Sequence, residues 1–138
     1  MKEYNDTVKF SVLISVYNKE KPNFLEKALD SICNQTLKPD EVVLVKDGML
    51  TQELEKVIGR EQDKFIEHNI DFICVQLDKN KGLGIALQKG LEKCRYDYVA
   101  RMDGDDIATD TRFENQVKYM KEHKDISVLG GYIDEFSV

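Results

Sequence analysis

Four carboxylates, Asp103, Asp105, Asp106 and Asp110, fall within eight residues directly after the apolar-rich stretch at residues 96–102 (YDYVARM). Two like charges about 4 Å apart repel by about 1 kcal/mol in water and about 4 kcal/mol at an effective dielectric of 20. A hard divalent cation removes that cost, and carboxylate oxygens suit Mg2+ or Mn2+. The simpler alternative is a solvated turn, since Asp and Gly are common turn residues. The spacing of these acids behind a hydrophobic strand favours the cation. A calcium loop does not fit: with Asp103 as its first residue, Ile107 occupies a ligand position and Ala108 stands where the sharp turn requires glycine.

Two other positions could contact a small ligand. Asp47 precedes Gly48, and its carboxylate could accept a hydrogen bond from a nucleobase imide N–H or close an Asx-type turn. Tyr17 could stack on a flat base or pack into the core. Other nucleotide motifs are missing. Gly82-Leu83-Gly84 begins a GxG, but Leu87 occupies the sixth position of the dinucleotide fingerprint, and no GxxxxGK[ST] occurs. His68 and His123 lie among charged residues late in helical patterns, which suits helix ends better than a catalytic base.

The elements that must position these residues alternate. Residues 10–16 (FSVLISV) read as a buried strand. Pro22 opens a helix with Phe24, Leu25, Ala28, Leu29, Ile32 and Cys33 on one face, and Pro39 marks its end. Residues 41–45 (EVVLV) are a second strand. Thr51 caps a second helix that buries Leu54, Val57, Ile58, Phe65 and Ile66. Residues 72–77 (FICVQL) make a third strand, and Ala86, Leu87, Gly90, Leu91 and Cys94 mark a third helix. Residues 96–102 are the fourth strand. Thr111 and Glu114 have capping-box spacing before Phe113, Val117 and Met120. Residues 126–129 and 132–136 read as one or two further strands.

Such alternation predicts an α/β fold, a mostly parallel sheet flanked by helices on both faces. Ligands on such sheets sit at the carboxyl ends of the strands, where residues 15–18, 46–48, 78–82 and 103–106 fall. The 138 residues, 41% hydrophobic and 33% charged, suit one globular domain spanning 1–138. A net charge of −6 excludes nucleic acid as a main partner. Cys33, Cys74 and Cys94 are odd in number and lie in apolar stretches, as reduced core thiols do. No secretory signal or transmembrane segment is legible. A cytoplasmic location follows, with peripheral attachment at the inner face of a membrane open to the full-length protein.

The run at residues 11–19 (SVLISVYNK), with 28–32 (ALDSI) and 34–36 (NQT), resembles the opening of family 2 glycosyltransferases. Residues 41–48 (EVVLVKDG), 80–84 (NKGLG), 100–106 (ARMDGDD) and Arg112-Phe113 continue the likeness in order. Each piece is weak alone; the ordered set, over about residues 8 to 133, is specific. The resemblance implies the GT-A fold, a Rossmann-like nucleotide-diphospho-sugar transferase architecture, here truncated. It implies a nucleotide-sugar donor, a UDP-sugar, bound with Mn2+ or Mg2+. Tyr17 would stack on the base, Ser15 would contribute its backbone, and Asp47 would read the base N–H. Lys81 and Gly82 would line the base and ribose side. Asp103-Gly104-Asp105 would be the DXD motif, with Asp103 towards the ribose, Asp105 on the metal and Asp106 supporting it through water.

Two departures stand out. Lys46 replaces an acidic residue often found before the Asp47 position; it could approach a phosphate, pair with Asp47 or point to solvent. The family's acceptor-binding half and catalytic base follow the DXD segment, and the chain stops at Val138, so no residue here is nominated as the base. The expectation is a donor-binding fragment of a sugar-transfer enzyme acting in cell-surface polysaccharide or glycoconjugate synthesis. Its acceptor, a saccharide or a lipid-linked one, would bind through the missing half, and the truncated face would promote self-association. The alternative is a non-catalytic nucleotide-binding module of the same fold. A phosphoacceptor receiver domain is set aside, because it needs paired acids where this chain has Val16-Tyr17-Asn18-Lys19.

Overall fold

An uninterrupted apolar run with β-branched residues buries well on both faces, and residues Phe10–Val16 form the first strand, β1, at the centre of the sheet. The computed structural model describes residues 8–123. After β1 come α1 (Pro22–Cys33), β2 (Glu41–Lys46), α2 (Gln52–Glu67), β3 (Asp71–Gln76), α3 (Leu83–Leu91), β4 (Tyr98–Asp103) and α4 (Arg112–Glu122). The strands pair in parallel in the order β3-β2-β1-β4. The strands expected at residues 126–129 and 132–136 lie outside the described residues.

The strand period of two sorts the core into two layers. Val12, Ile14 and Val16, with Val42 and Leu44, face a core shared with α1, α2 and Phe113 of α4. Leu13, Val43 and Val45 face a smaller core with Leu77 and with Ala86 of α3. Helices therefore cover both faces, as the alternation requires. Burying each Leu or Ile contributes about 1.5–3 kcal/mol. Thr51 caps α2 as expected, its hydroxyl accepting the Leu54 N–H at 3.2 Å.

Several outward positions differ from the helical patterns. Phe24, Ile66 and Leu91 are exposed, each next to a buried neighbour one residue along and so about 100° off the core-facing line. Phe24 lies against the Lys21 ammonium instead. Cys74 is exposed rather than in the core, because β3 is an edge strand among the described residues. The Thr111–Glu114 spacing does not form a capping box: Glu114 accepts the Thr36 hydroxyl at 2.6 Å, and Thr111 makes no side-chain cap.

Two buried carboxylates were hidden in the pattern. Glu41, at the start of β2, is fully buried and accepts the Ser11 hydroxyl at 2.7 Å and the Arg95 main-chain N–H at 2.6 Å. The Arg95 guanidinium closes this pair at 3.0 Å. Glu61, on the inner face of α2, is also fully buried. Its carboxyl is pushed up to about 7 by burial and by the neighbouring Asp30, with Lys64 opposing. The folded state holds this proton more tightly than the unfolded chain, so Glu61 loses its stabilising contribution as pH rises from about 4.5 to about 7. In metal-free buffer, Glu61→Gln should match the parent near pH 4 and exceed its stability by about 2–3 kcal/mol near pH 8. Urea unfolding checks this; an equal gain at both pH values would contradict it.

Candidate functional site

Parallel pairing sends the carboxyl ends of all four strands to one edge. Ser15 lies in register with Val45 on one side and Asp103 on the other, so the ends of β1, β2 and β4 are level. There the loops enclose an open cleft of about 370 Å³. Ser15, Tyr17, Glu20 and Asp47 line it from β1 and β2, and Asn80, Gly82, Leu83, Asp103 and Asp105 from the other side. Of the expected site residues, Ser15, Tyr17, Asp47, Gly82, Asp103 and Asp105 meet at this cleft. Lys81 and Asp106 stand just behind its lining.

Asp47 is buried, and both of its oxygens are engaged: Oδ1 accepts the Lys81 N–H at 2.7 Å and Oδ2 the Gly82 N–H at 3.1 Å. It thereby ties the loop after β3 to the end of β2. A carboxylate oxygen can accept more than one hydrogen bond, so Asp47 keeps acceptor capacity for a ligand. Gly48 makes the same junction possible. Its φ of 94° is one that L side chains rarely adopt, and a Cβ there would lie 2.8 Å from the Asn80 nitrogen. The Lys81 ammonium turns to Asp78 at 3.4 Å, holding that carboxyl below its usual range. Lys81 therefore offers the site its main chain. Lys46 pairs with Glu55 of α2 at 2.7 Å, rather than with Asp47 or solvent. Tyr17 is 43% exposed at the cleft, so its ring is not core.

Three of the four clustered acids converge. Oxygens of Asp103, Asp105 and Asp106 lie within 4.8 Å of one another. The Asp106 carboxylate also accepts the Asp103 N–H at 3.0 Å, which fixes the turn. Asp110 is not part of this group; its carbonyl accepts the Thr36 N–H at 2.9 Å, at the junction with α1. Partial burial raises Asp103, as do the charges of Asp106 and Asp105, against the opposing effect of Arg101. Glu20 is raised by burial and then by Asp105, Asp103 and Asp106.

Glu20 is a cleft residue outside the strand-end positions read from the sequence, whereas Asn80 falls within residues 78–82 and Leu83 within the matched run 80–84. An acid three positions beyond Tyr17, in the loop after the first strand, was the available signal for Glu20. The carboxylate of Glu20 sits under Gly104, where a Cβ would lie 2.8 Å from its Oε1 and 3.2 Å from the Ser15 carbonyl. A side chain at the middle of Asp103-Gly104-Asp105 would have to displace the Glu20 carboxylate and crowd the Ser15 carbonyl.

The acidic loop is held in place by α1 and the turn just after it. The Ser31 hydroxyl accepts the Ala108 N–H at 3.0 Å. Gln35, 1% exposed, accepts the Phe113 N–H at 3.0 Å and donates to the carbonyls of Thr109 and Ser31. His68 and His123 sit at the C-caps of α2 and α4, each ring within hydrogen-bonding distance of its own helix's carbonyls, away from the cleft.

The model of the family described as glycosyl transferase family 2 matches residues 11–137. The amylovoran biosynthesis glycosyltransferase AmsE of Erwinia amylovora is 47% identical over 127 residues, covering 92% of this chain and 46% of its own. A UDP-Gal:alpha-D-GlcNAc-diphosphoundecaprenol beta-1,3-galactosyltransferase of Escherichia coli is 44% identical over 134 residues, covering 96% of this chain and 46% of its own. The chain thus spans about half the length of the curated relatives it matches. Among solved structures, residues 1–349 of S. aureus TarS in complex with UDP superpose with a TM-score of 0.71 at 25% identity, covering 85% of this chain and 33% of that one.

Gln35→Ala strands buried partners on the acidic loop, and each such group costs about 1–3 kcal/mol. The expected loss of stability is about 2–4 kcal/mol by urea unfolding; a change below about 0.5 kcal/mol would contradict the assigned role.

Proposed function

The chain belongs to glycosyl transferase family 2 and has the GT-A fold; from that premise we propose that its cleft receives a metal-complexed nucleotide-sugar, a UDP-sugar, for transfer of the sugar to an acceptor. The observation that carries this reading is the convergence of Asp103, Asp105 and Asp106 at the cleft opposite Tyr17 and Asp47. The donor choice draws support from two likenesses: one relative is named for UDP-Gal, and TarS was solved with UDP.

The donor set fits a hard divalent ion. It consists of carboxylate oxygens alone, close enough together to converge on one centre, and Asp103 is raised by partial burial first and then by the charges of Asp106 and Asp105. Asp105 and Asp103 would hold Mn2+ or Mg2+, with Asp106 supporting it through water. When bound, such an ion acts as a Lewis acid that stabilises the charge growing on the diphosphate leaving group.

The chain's own groups supply the binding. In this reading the exposed Tyr17 ring stacks on the base, and Ser15 contributes its main chain. Asp47 shapes the loop at residues 81–82 and takes the base N–H with its remaining acceptor capacity. Lys81 and Gly82 form the base and ribose side through their backbone, and Asp103 faces the ribose. Residues 1–138 act as one donor-binding domain.

Sugar transfer by this chemistry inverts the anomeric carbon in one displacement and needs a carboxylate base beside the acceptor. No residue of the described chain is assigned that role. A saccharide or lipid-linked acceptor in cell-surface polysaccharide synthesis is supported by the names of the relatives, amylovoran and diphosphoundecaprenol among them. No helix among the described residues is long and apolar enough to cross a membrane. In this reading the whole protein works in the cytoplasm, peripheral to the inner face of the membrane, where a lipid-linked acceptor of the kind named for one relative would be met.

Calorimetric titration of UDP tests this proposal. Binding should require Mn2+ and vanish in chelator, and Asp105→Asn should weaken it at least tenfold, or about 1.4 kcal/mol. Binding of equal strength with Mn2+ and with chelator, or unaltered in Asp105→Asn, would overturn it.

A further inference from the structure

A second acidic group lies on the far side of α1 and takes no part in the donor cleft. Glu26 and Asp30 are four positions apart on α1 and so share one face. Glu61 meets them from α2, and one carboxylate oxygen of each lies within 4.8 Å of the others.

Acidic surface clusters are common; the burial of this one sets it apart. The Glu61 side chain is fully buried, and its Oε1 has no hydrogen-bond partner. The nearby cations leave that oxygen unsatisfied. Lys64 donates to Glu61 Oε2 at 3.1 Å and to Asp30 Oδ1 at 2.9 Å, and Arg60 reaches Glu26 at 3.5 Å. Two cations thus face three carboxylates. Towards the C-terminal ends of the two helices, Cys33 and His68 approach each other at 3.5 Å. Burial and the neighbouring Asp30 push Glu61 up to about 7, and above that pH its oxygen without a partner carries the full penalty of its lost hydration.

We propose that Glu26, Asp30 and Glu61 form a second divalent-cation site in the seam between α1 and α2, independent of the donor reading. The chemistry of the ligands selects the ion. Three carboxylates and no nitrogen or sulfur ligand describe a hard cation. Glu26 is half-buried at the rim, where water can complete an irregular shell. Ca2+ accepts such a shell at variable distances, whereas Mg2+ demands a near-ideal octahedron. The ion supplies positive charge to Glu61 Oε1 and joins α1 to α2. It does so on the helix whose Ser31, with Gln35 just past its C-cap, holds the acidic loop of the cleft.

Calorimetry with CaCl2 on the full chain carrying Asp103→Asn and Asp105→Asn removes the cleft acids from the measurement. One Ca2+ per chain should bind, Glu26→Gln should weaken it at least fivefold, and Glu61→Gln should abolish it. In a parallel thermal scan near pH 8, Ca2+ should raise the midpoint of the Asp103→Asn/Asp105→Asn protein and leave that of its Glu61→Gln derivative unmoved. Should Glu61→Gln fail to fold, Glu26→Gln at the rim carries the test. Absence of Ca2+ binding, or binding indifferent to Glu26→Gln, would overturn the site. A stability that falls with rising pH to the same extent with and without Ca2+ would also overturn it, because Glu61 would then be satisfied by a proton alone.

Discussion

The arrangement depends on a repulsion that the fold holds in place. Asp103, Asp105 and Asp106 bring their oxygens within 4.8 Å of one another at the end of β4, with Glu20 behind them. Left to itself, such a loop would spread its charges into water. It does not spread because α1 and the turn after it grip the segment that follows: Ser31 and Gln35 take the N–H groups of Ala108 and Phe113. The strain is electrostatic, and a bound cation would relieve it. Gly104 lets the loop pass close to the Ser15 carbonyl and the Glu20 carboxylate, which would have to swing aside for a side chain there.

Parallel pairing turns this loop into part of a cleft. The register that sets Ser15 beside Asp103 also levels the end of β2, so Asp47 and the loop after β3 come within reach. Asp47 links the two sides by accepting two main-chain N–H groups. A single buried carboxylate thus shapes the wall opposite the acidic cluster. The opposite end of the sheet uses a comparable device, where Glu41 gathers Ser11 and Arg95. Buried acids in this chain organise loops when their oxygens are fully engaged, and Glu61 stands apart because one of its oxygens is not.

Much of this was legible in the sequence, for definite reasons. β1 matches the boundaries of its apolar run because both faces of a central strand are buried. The acids of residues 103–106 were legible because a polar run ends a hydrophobic strand in a parallel sheet. Strand order was not, since nothing in one strand names its neighbour. The engagement of Lys46 with Glu55 was hidden because it joins a strand end to a helix through tertiary packing. Nothing in the sequence marks Glu41 or Glu61 as buried, and only the third dimension shows what covers them. Asp110 belonged to the cluster by spacing alone; a few residues of chain carried it round to α1.

The central claim is that the acids at the end of β4 and the wall shaped by Asp47 form one site, which holds a nucleotide through a metal. Anomalous X-ray scattering from crystals grown with UDP and Mn2+ tests it most directly. The account predicts a Mn2+ peak at Asp105, contiguous with density for the diphosphate, and the uracil ring against Tyr17. Density for UDP away from this cleft, or bound within it with no Mn2+ at Asp103, Asp105 or Asp106, would contradict it.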